Sequence, residues 1–251
     1  MTLQIIEVNG GQVSSGPPKH LEIPASNTAY TNAQLDDYHG LRRKEYLWNP
    51  GTHLSIRARF SHSAAELKGT AGFGFWNAPF GDPSVPWPAS PRSVWFFFAS
   101  APNNLPLALE GPGRGWFAST IDAPLSRSGL ILPAAPALLI LNQFTALRSY
   151  FWPWLRSYFG ISFQLIGKNL EDWHKYDLSW QSNHCKFLVD DELVHQTSHS
   201  PNGPLGFVCW IDNQYMVATP KGKVRWGTLK LGHSQWLEVE ELELSQGFET
   251  N

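Results

Sequence analysis

The residues best suited to chemistry in this sequence are two aspartates set among aromatic and amide side chains. In the stretch NAQLDDY, the two-residue alternation of a strand puts Asn32, Gln34 and Asp36 on one face. In WIDNQY, Trp210 and Asp212 share one face, and Asn213 and Tyr215 share the other. A carboxyl against aromatic walls loses hydration, which disfavours its charged form and raises its pKa. Asp36 or Asp212 in such a place could deliver a proton as a general acid. The same clusters could equally serve as hydrogen-bond partners of loop backbone. Other chemistries lack their residues. There is no glycine-rich phosphate loop and no Ser-His-Asp signature. His195 and His199 are four apart, but in a hairpin and turn context rather than on a helix, so no shared metal face is expected. His174 reads as a structural partner within a hairpin, and Cys185 and Cys209 as buried thiols.

These residues need a scaffold, and most of the chain reads as strands. HLSIRARF, CKFLVD and WLEVEELELS alternate apolar and polar residues with period two. AGFGFWN, SVWFFFAS and LGFVCWID are apolar on both faces, as central strands of a packed sandwich would be. Gly and Pro clusters such as SSGPP, EGPGRG and SPNGP separate them. The expected class is all-β, a sandwich or barrel in a single domain spanning 1–251. One segment departs from the pattern. Across 134–160 the apolar residues Leu138, Leu141, Phe144, Leu147, Phe151, Leu155 and Tyr158 recur at helical spacing. That predicts a helical insertion, which Pro153 should split or restart. Its apolar stripe must bury itself against the domain, the mouth of a cleft or a membrane surface. The small net charge of -2 argues against holding anionic lipid, so packing on the domain is preferred to membrane contact.

The same charge, with a pI near 6.5, leaves no polycationic face and argues against a nucleic-acid partner. The 12 Trp can pack a core, line a ligand cleft, or do both. MTLQIIEVNGG has no positive n-region or long apolar run, so a cytoplasmic location is expected.

Three stretches in order carry a family resemblance. They are YTNAQLDDYHGLRRKEYLWNPGTHLSIRARFS with GTAGFGFWNAPFGDP, then VPWPASPRSVWFFFASAP, then WHKYDLSWQSNHCKFLVDDELVHQT with PLGFVCWIDNQY. Their order and spacing resemble the concanavalin A-like lectin/glucanase superfamily, and most nearly the family 16 glycoside hydrolases. The resemblance implies a jelly-roll β-sandwich of two curved antiparallel sheets, one concave and facing ligand. It also allows a structural calcium on the convex side, with no ligands assignable in this chain. The family's catalytic strand reads W-P-x-x-G-E-x-D-x-x-E, and retaining hydrolysis needs its two carboxylates about 5–5.5 Å apart. Aligned without gaps on Trp87 and Pro88, Arg92 stands at the first Glu, Val94 at the Asp and Phe97 at the second Glu. No carboxylate occurs between Asp82 and Glu110. The strand therefore argues against hydrolysis by the family mechanism. The resemblance places Trp76 in the cleft, Arg92, Val94 and Phe97 on its floor, and Trp87 at one rim; Trp154 of the insertion is expected near its mouth. Apolar residues in place of acids point to a largely apolar or aromatic small-molecule ligand, with binding and transformation both open and no cofactor expected. A cyclase or isomerase would use Asp36 or Asp212 as acid and the aromatic walls to stabilise positive charge. A carbohydrate-binding or interaction module is the other alternative.

Overall fold

The computed structural model describes residues 2–27, 29–79, 89–104, 113–123, 144–219 and 224–247. Within them the strands are β1 (Gln4–Val8), β2 (Gln12–Val13), β3 (Lys19–Ile23), β4 (Asn32–Asp36), β5 (Thr52–Phe60), β6 (Thr70–Trp76), β7 (Arg92–Ala99) and β8 (Gly115–Asp122). After the helix α1 (Thr145–Tyr158) come β9 (Ser162–Leu165), β10 (His174–Trp180), β11 (Cys185–Val189), β12 (Glu192–Thr197), β13 (Gly206–Asp212), β14 (Gln214–Ala218), β15 (Val224–Thr228) and β16 (Gln235–Gln246).

Two antiparallel seven-stranded sheets form an all-β jelly-roll sandwich. The front sheet runs β1-β4-β13-β6-β7-β8-β9 and the back sheet β12-β11-β10-β5-β16-β3-β2. The back sheet shows the alternation of a sheet with one wet face. In β5, Thr52, Leu54, Ile56, Ala58 and Phe60 point inward, and the residues between them are more exposed. The outward-pointing Arg57 and Arg59 lie over the ring of Trp173, at 5.0 and 4.9 Å.

The core between the sheets is largely aromatic. Phe73, Phe75, Phe96, Phe98, Trp116, Tyr176, Trp180, Phe187 and Phe207 are all buried there. Rings from opposite sheets meet edge to face, as in Phe73–Tyr176 at 5.1 Å and Phe96–Phe187 at 5.3 Å. Front-sheet strands are apolar on both faces because their outer face is aromatic as well. On β6, Ala71, Phe73 and Phe75 enter the core, while Gly72 and Gly74 face outward. Both glycines have positive φ, +155° and +148°. A Cβ would sit 2.3 Å from the Phe96 carbonyl oxygen at Gly72, and 2.5 Å from that of Val94 at Gly74. Glycine lets β6 approach β7 this closely and leaves a trough between flanking aromatic side chains.

The helical insertion is one continuous helix across Pro153, not the split pair expected. Pro153 is exposed, where water can satisfy the carbonyl that its missing N–H frees. Only the end of the stripe is buried: Leu155 is 5% exposed, against 60% for Phe144. The helix docks at its C-terminal end. The Asp122 N–H donates to the Phe159 carbonyl at 3.1 Å, and the Arg156 guanidinium lies 4.8 Å from the Phe163 ring centroid. Positions 134–143 of the expected insertion lie outside the described residues.

Candidate functional site

Strand register determines which side chains share the outer face of the front sheet. One row crosses it as Ile6, Gln34, Trp210, Gly72, Phe97 and Phe117. The next row toward one end is Val8, Asn32, Asp212 and Thr70. Toward the other end stand Asp36, Val208, Gly74, Trp95 and Ser119. Together with Tyr30, Tyr38 and His39, Asn103, and Gln214, Tyr215 and Met216 of β14, this face encloses a cavity of about 450 Å³.

The floor is an aromatic cluster over the two glycines. Trp95 stands at its centre, 5.0 Å from Phe97, 5.4 Å from Trp210 and 5.9 Å from Trp76. Hydrogen bonds orient the rings. Trp76 Nε1 donates to the Tyr38 hydroxyl at 2.8 Å, and Trp210 Nε1 to Thr70 Oγ1 at 3.0 Å.

Polar groups surround this floor. Asp212 Oδ1 accepts from Thr70 Oγ1 at 2.8 Å, Gln214 N at 3.0 Å and Thr70 N at 3.3 Å. Burial nevertheless raises its pKa to about 6, with those hydrogen bonds opposing the rise. The Tyr30 hydroxyl is raised too, by burial and then by the charge of Asp212. Asp36 is fully buried; it accepts from Gln34 Nε2 at 2.7 Å and from the N–H groups of His39 at 2.9 Å and Tyr38 at 3.2 Å. Burial raises its pKa as well. Two amides end unpaired. Asn32 Oδ1 and Asn103 Nδ2 have no hydrogen-bond partner among the described residues, although these side chains line the cavity and the residues are only 3% and 2% exposed.

Of the residues singled out from the sequence, the cavity brings together Asn32, Gln34, Trp76, Phe97, Trp210, Asp212 and Tyr215. Asp36 lies behind Gln34 rather than on the cavity surface. Val94 is a correction: it is fully buried in the core between the sheets. Arg92 belongs to the same inner set of β7 residues and donates to the Asn202 carbonyl at 2.8 Å. The expected floor of Arg92, Val94 and Phe97 mixed two faces. β7 pairs continuously with β6 and β8 from Arg92 to Ala99, with no bulge to change the phase. Ser93, Trp95 and Phe97 are the outward set. Asn213 is also placed otherwise. It is buried, donating to the carbonyls of Ala29 at 2.8 Å and Leu229 at 3.0 Å and accepting from Thr31 N at 2.9 Å, so it ties loops together. Trp154 lies on α1, 53% exposed and stacked on Tyr158 at 5.4 Å, away from the cavity lining. Trp87 lies outside the described residues.

The sequence reading missed Trp95, Tyr38, Thr70 and Asn103. Trp95 was accessible from alternation alone, since it shares the phase of Phe97. Asn103 was not, because it comes from the loop after β7 and gives no periodic signal. Among the described residues, no group of three or more His, Cys, Asp or Glu is placed to hold a metal ion.

The family model described as glycosyl hydrolases family 16 matches residues 149–217. No curated protein matches the chain in sequence. Among solved structures, the catalytic domain of an endo-1,3-β-glucanase (laminarinase) from Thermotoga petrophila RKU-1 is similar at 11% identity. That alignment covers 96% of this chain and 82% of that one, with a TM-score of 0.48. The β-glucanase of Bacillus licheniformis is similar at 9% identity over 98% and 92% of the two chains, TM-score 0.48. The carbohydrate recognition domain of Emp47p is similar at 12% identity over 98% and 89%, TM-score 0.47. The sequence match covers roughly a quarter of the chain, from α1 through β14, and includes β13 with Trp210 and Asp212 on the cavity wall; through that segment the chain is similar to the family 16 glycosyl hydrolases.

Proposed function

We propose that the outer face of the front sheet binds a neutral carbohydrate without hydrolysing it. The observation that carries this reading is the pairing of an aromatic floor with unpaired, buried amide groups. A sugar ring presents C–H faces that pack on Trp and Phe, and hydroxyls that both donate and accept. Asn32 Oδ1 offers an acceptor and Asn103 Nδ2 a donor, each desolvated and without a partner among the described residues. Leaving such a group unpaired costs about 1–3 kcal/mol; both atoms are shielded from a water-sized group, so a hydroxyl recovers that cost only where the amide turns towards it. An all-apolar ligand would leave both amides unpaired, so the carbohydrate reading replaces an apolar small molecule as the favoured ligand. The similarity of residues 149–217 to family 16 points the same way.

Neutrality follows from the lining. Among the described residues no Lys or Arg lines the cavity, while Asp212 does and Asp36 lies just behind. A uronate would bring its carboxylate towards like charge with no cation to offset it.

Two carboxylates on one face could suggest hydrolysis, but their spacing opposes it. Asp36 stands opposite Val208, and Asp212 is four residues further along the same strand. At about 3.3 Å per residue their backbones are roughly 13 Å apart and Asp36 is buried behind Gln34, whereas glycosidase carboxyl groups lie roughly 5–9.5 Å apart across an open cleft.

The test is titration of Trp fluorescence and calorimetry with neutral oligosaccharides, uronate oligosaccharides and apolar terpenoids. Neutral sugars should bind, and Trp95→Ala should weaken the binding. Binding of terpenoids alone would return the cavity to an apolar ligand.

A further inference from the structure

The wall of the cavity formed by β14 continues beyond it. After Asp212 the chain leaves the front sheet at Asn213, and β14 pairs with β15 as a separate two-stranded hairpin. This hairpin is anchored at its base. Met216 N donates to Asn103 Oδ1 at 2.7 Å, Asn104 N to the Met216 carbonyl at 3.0 Å, and Leu229 N to the Asn213 carbonyl at 2.7 Å. Its register sets Gln214 opposite Thr228 and Met216 opposite Trp226, so these four share one face. Gln214 and Met216 line the main cavity. With Trp226, Gly227, Thr228 and Tyr215, they also line an adjoining cavity of about 460 Å³.

Trp226 is 75% exposed, the most exposed of the described aromatic side chains lining the two cavities. It has no ring, cation or hydrogen-bond partner among the described residues. The strand beneath it is braced from the other face. A Cβ at Gly227 would lie 3.0 Å from the ring of Tyr215, so glycine lets that ring lie against the hairpin. An indole held on a braced hairpin, continuous with a cavity, is a platform and not a loose end.

We propose that Trp226 is an outlying sugar-binding platform, so that the protein takes a stretch of neutral polysaccharide longer than the main cavity alone can hold. This rests on the carbohydrate reading of that cavity. One chain would pack a sugar on the Trp95 floor, pass Met216, and stack a further residue on Trp226. The adjoining cavity shares its wall with the first, which gives the chain a continuous path.

Calorimetry with β-1,3- and β-1,4-linked glucose oligomers, disaccharide to heptasaccharide, tests this on the full chain. For the linkage that binds, affinity should rise with length, and Trp226→Ala should remove that rise. The loss should be roughly tenfold or more for the longest oligomer, the size expected of one aromatic anchor, with the disaccharide unaffected. Trp226→Phe should restore most of the rise. Trp95→Ala should weaken every length alike. Wild-type affinity that does not grow with length would overturn the platform while leaving the main site standing, as would a Trp226→Ala loss equal at all lengths. No binding at any length would sink both.

Discussion

Asp212→Asn separates the electrostatic cost of this site from its packing. Burial raises the Asp212 pKa from 3.8 to about 6, so the folded protein holds a proton that the unfolded chain releases between those values. Stability falls with rising pH wherever the native state binds more protons. The cost of the charge is therefore absent well below about pH 4, grows between about pH 4 and 6, and is constant above. At 1.36 kcal/mol per pH unit, the full difference is about 3 kcal/mol at pH 8, and about 1 kcal/mol at pH 4.5. Asparagine keeps an oxygen to accept from Thr70 and Gln214 and carries no charge. The variant should therefore be more stable than wild type, by an amount that grows about 2 kcal/mol between those two pH values. For a chain of this size that is roughly 4–8 °C of added Tm difference. Asp37, also raised to about 6 by burial, titrates alike in both proteins and cancels in the comparison. Urea unfolding at the two pH values reads the result. A variant less stable at pH 8, or a difference that does not change with pH, would refute the argument that burial dominates at Asp212.

Other outcomes follow from the same geometry. Gly74→Ala should cost roughly 3 kcal/mol or more in thermal unfolding, because its Cβ meets the backbone of Val94 and Trp95 at 2.5–2.6 Å in a positive-φ conformation. Leu155→Ala on α1 should lower stability by about 2–4 kcal/mol, whereas Trp154→Ala, on an exposed side chain, should leave the melting temperature within about 1 °C. The purified protein should release no reducing sugar from β-glucans or galactans in an end-group assay; turnover that Asp212→Asn removed would contradict the binding-only reading. Cys209 is fully buried and the Cys185 thiol is pushed up to about 12, so both should resist a thiol reagent until the protein unfolds.

Local sequence pattern was enough to give the class of structure and several of the side chains that line the cavity. Alternation in β5, β11 and β16 is a local consequence of pleating, so it is visible without any tertiary contact. The doubly apolar strands marked the front sheet, and their aromatic residues do supply the floor. The phase within β7 also lay in the sequence, since Ser93, Trp95 and Phe97 must share a face if the strand is regular. Which phase faces out was decided only by the partners. Gly72 and Gly74 on β6 leave the space into which Trp95 and Phe97 extend, and the opposite sheet accepts Phe96 and Phe98. Asn103 and Asn213 show the same limit: neighbouring loops leave Asn103 Nδ2 without a partner among the described residues and enclose Asn213 in backbone contacts. Exposure of Trp226 and the continuity of α1 through the exposed Pro153 likewise depend on tertiary surroundings that leave both positions open to water. Periodicity is a property of a few neighbouring residues, whereas facing, burial and partnership depend on strands brought together from distant parts of the chain.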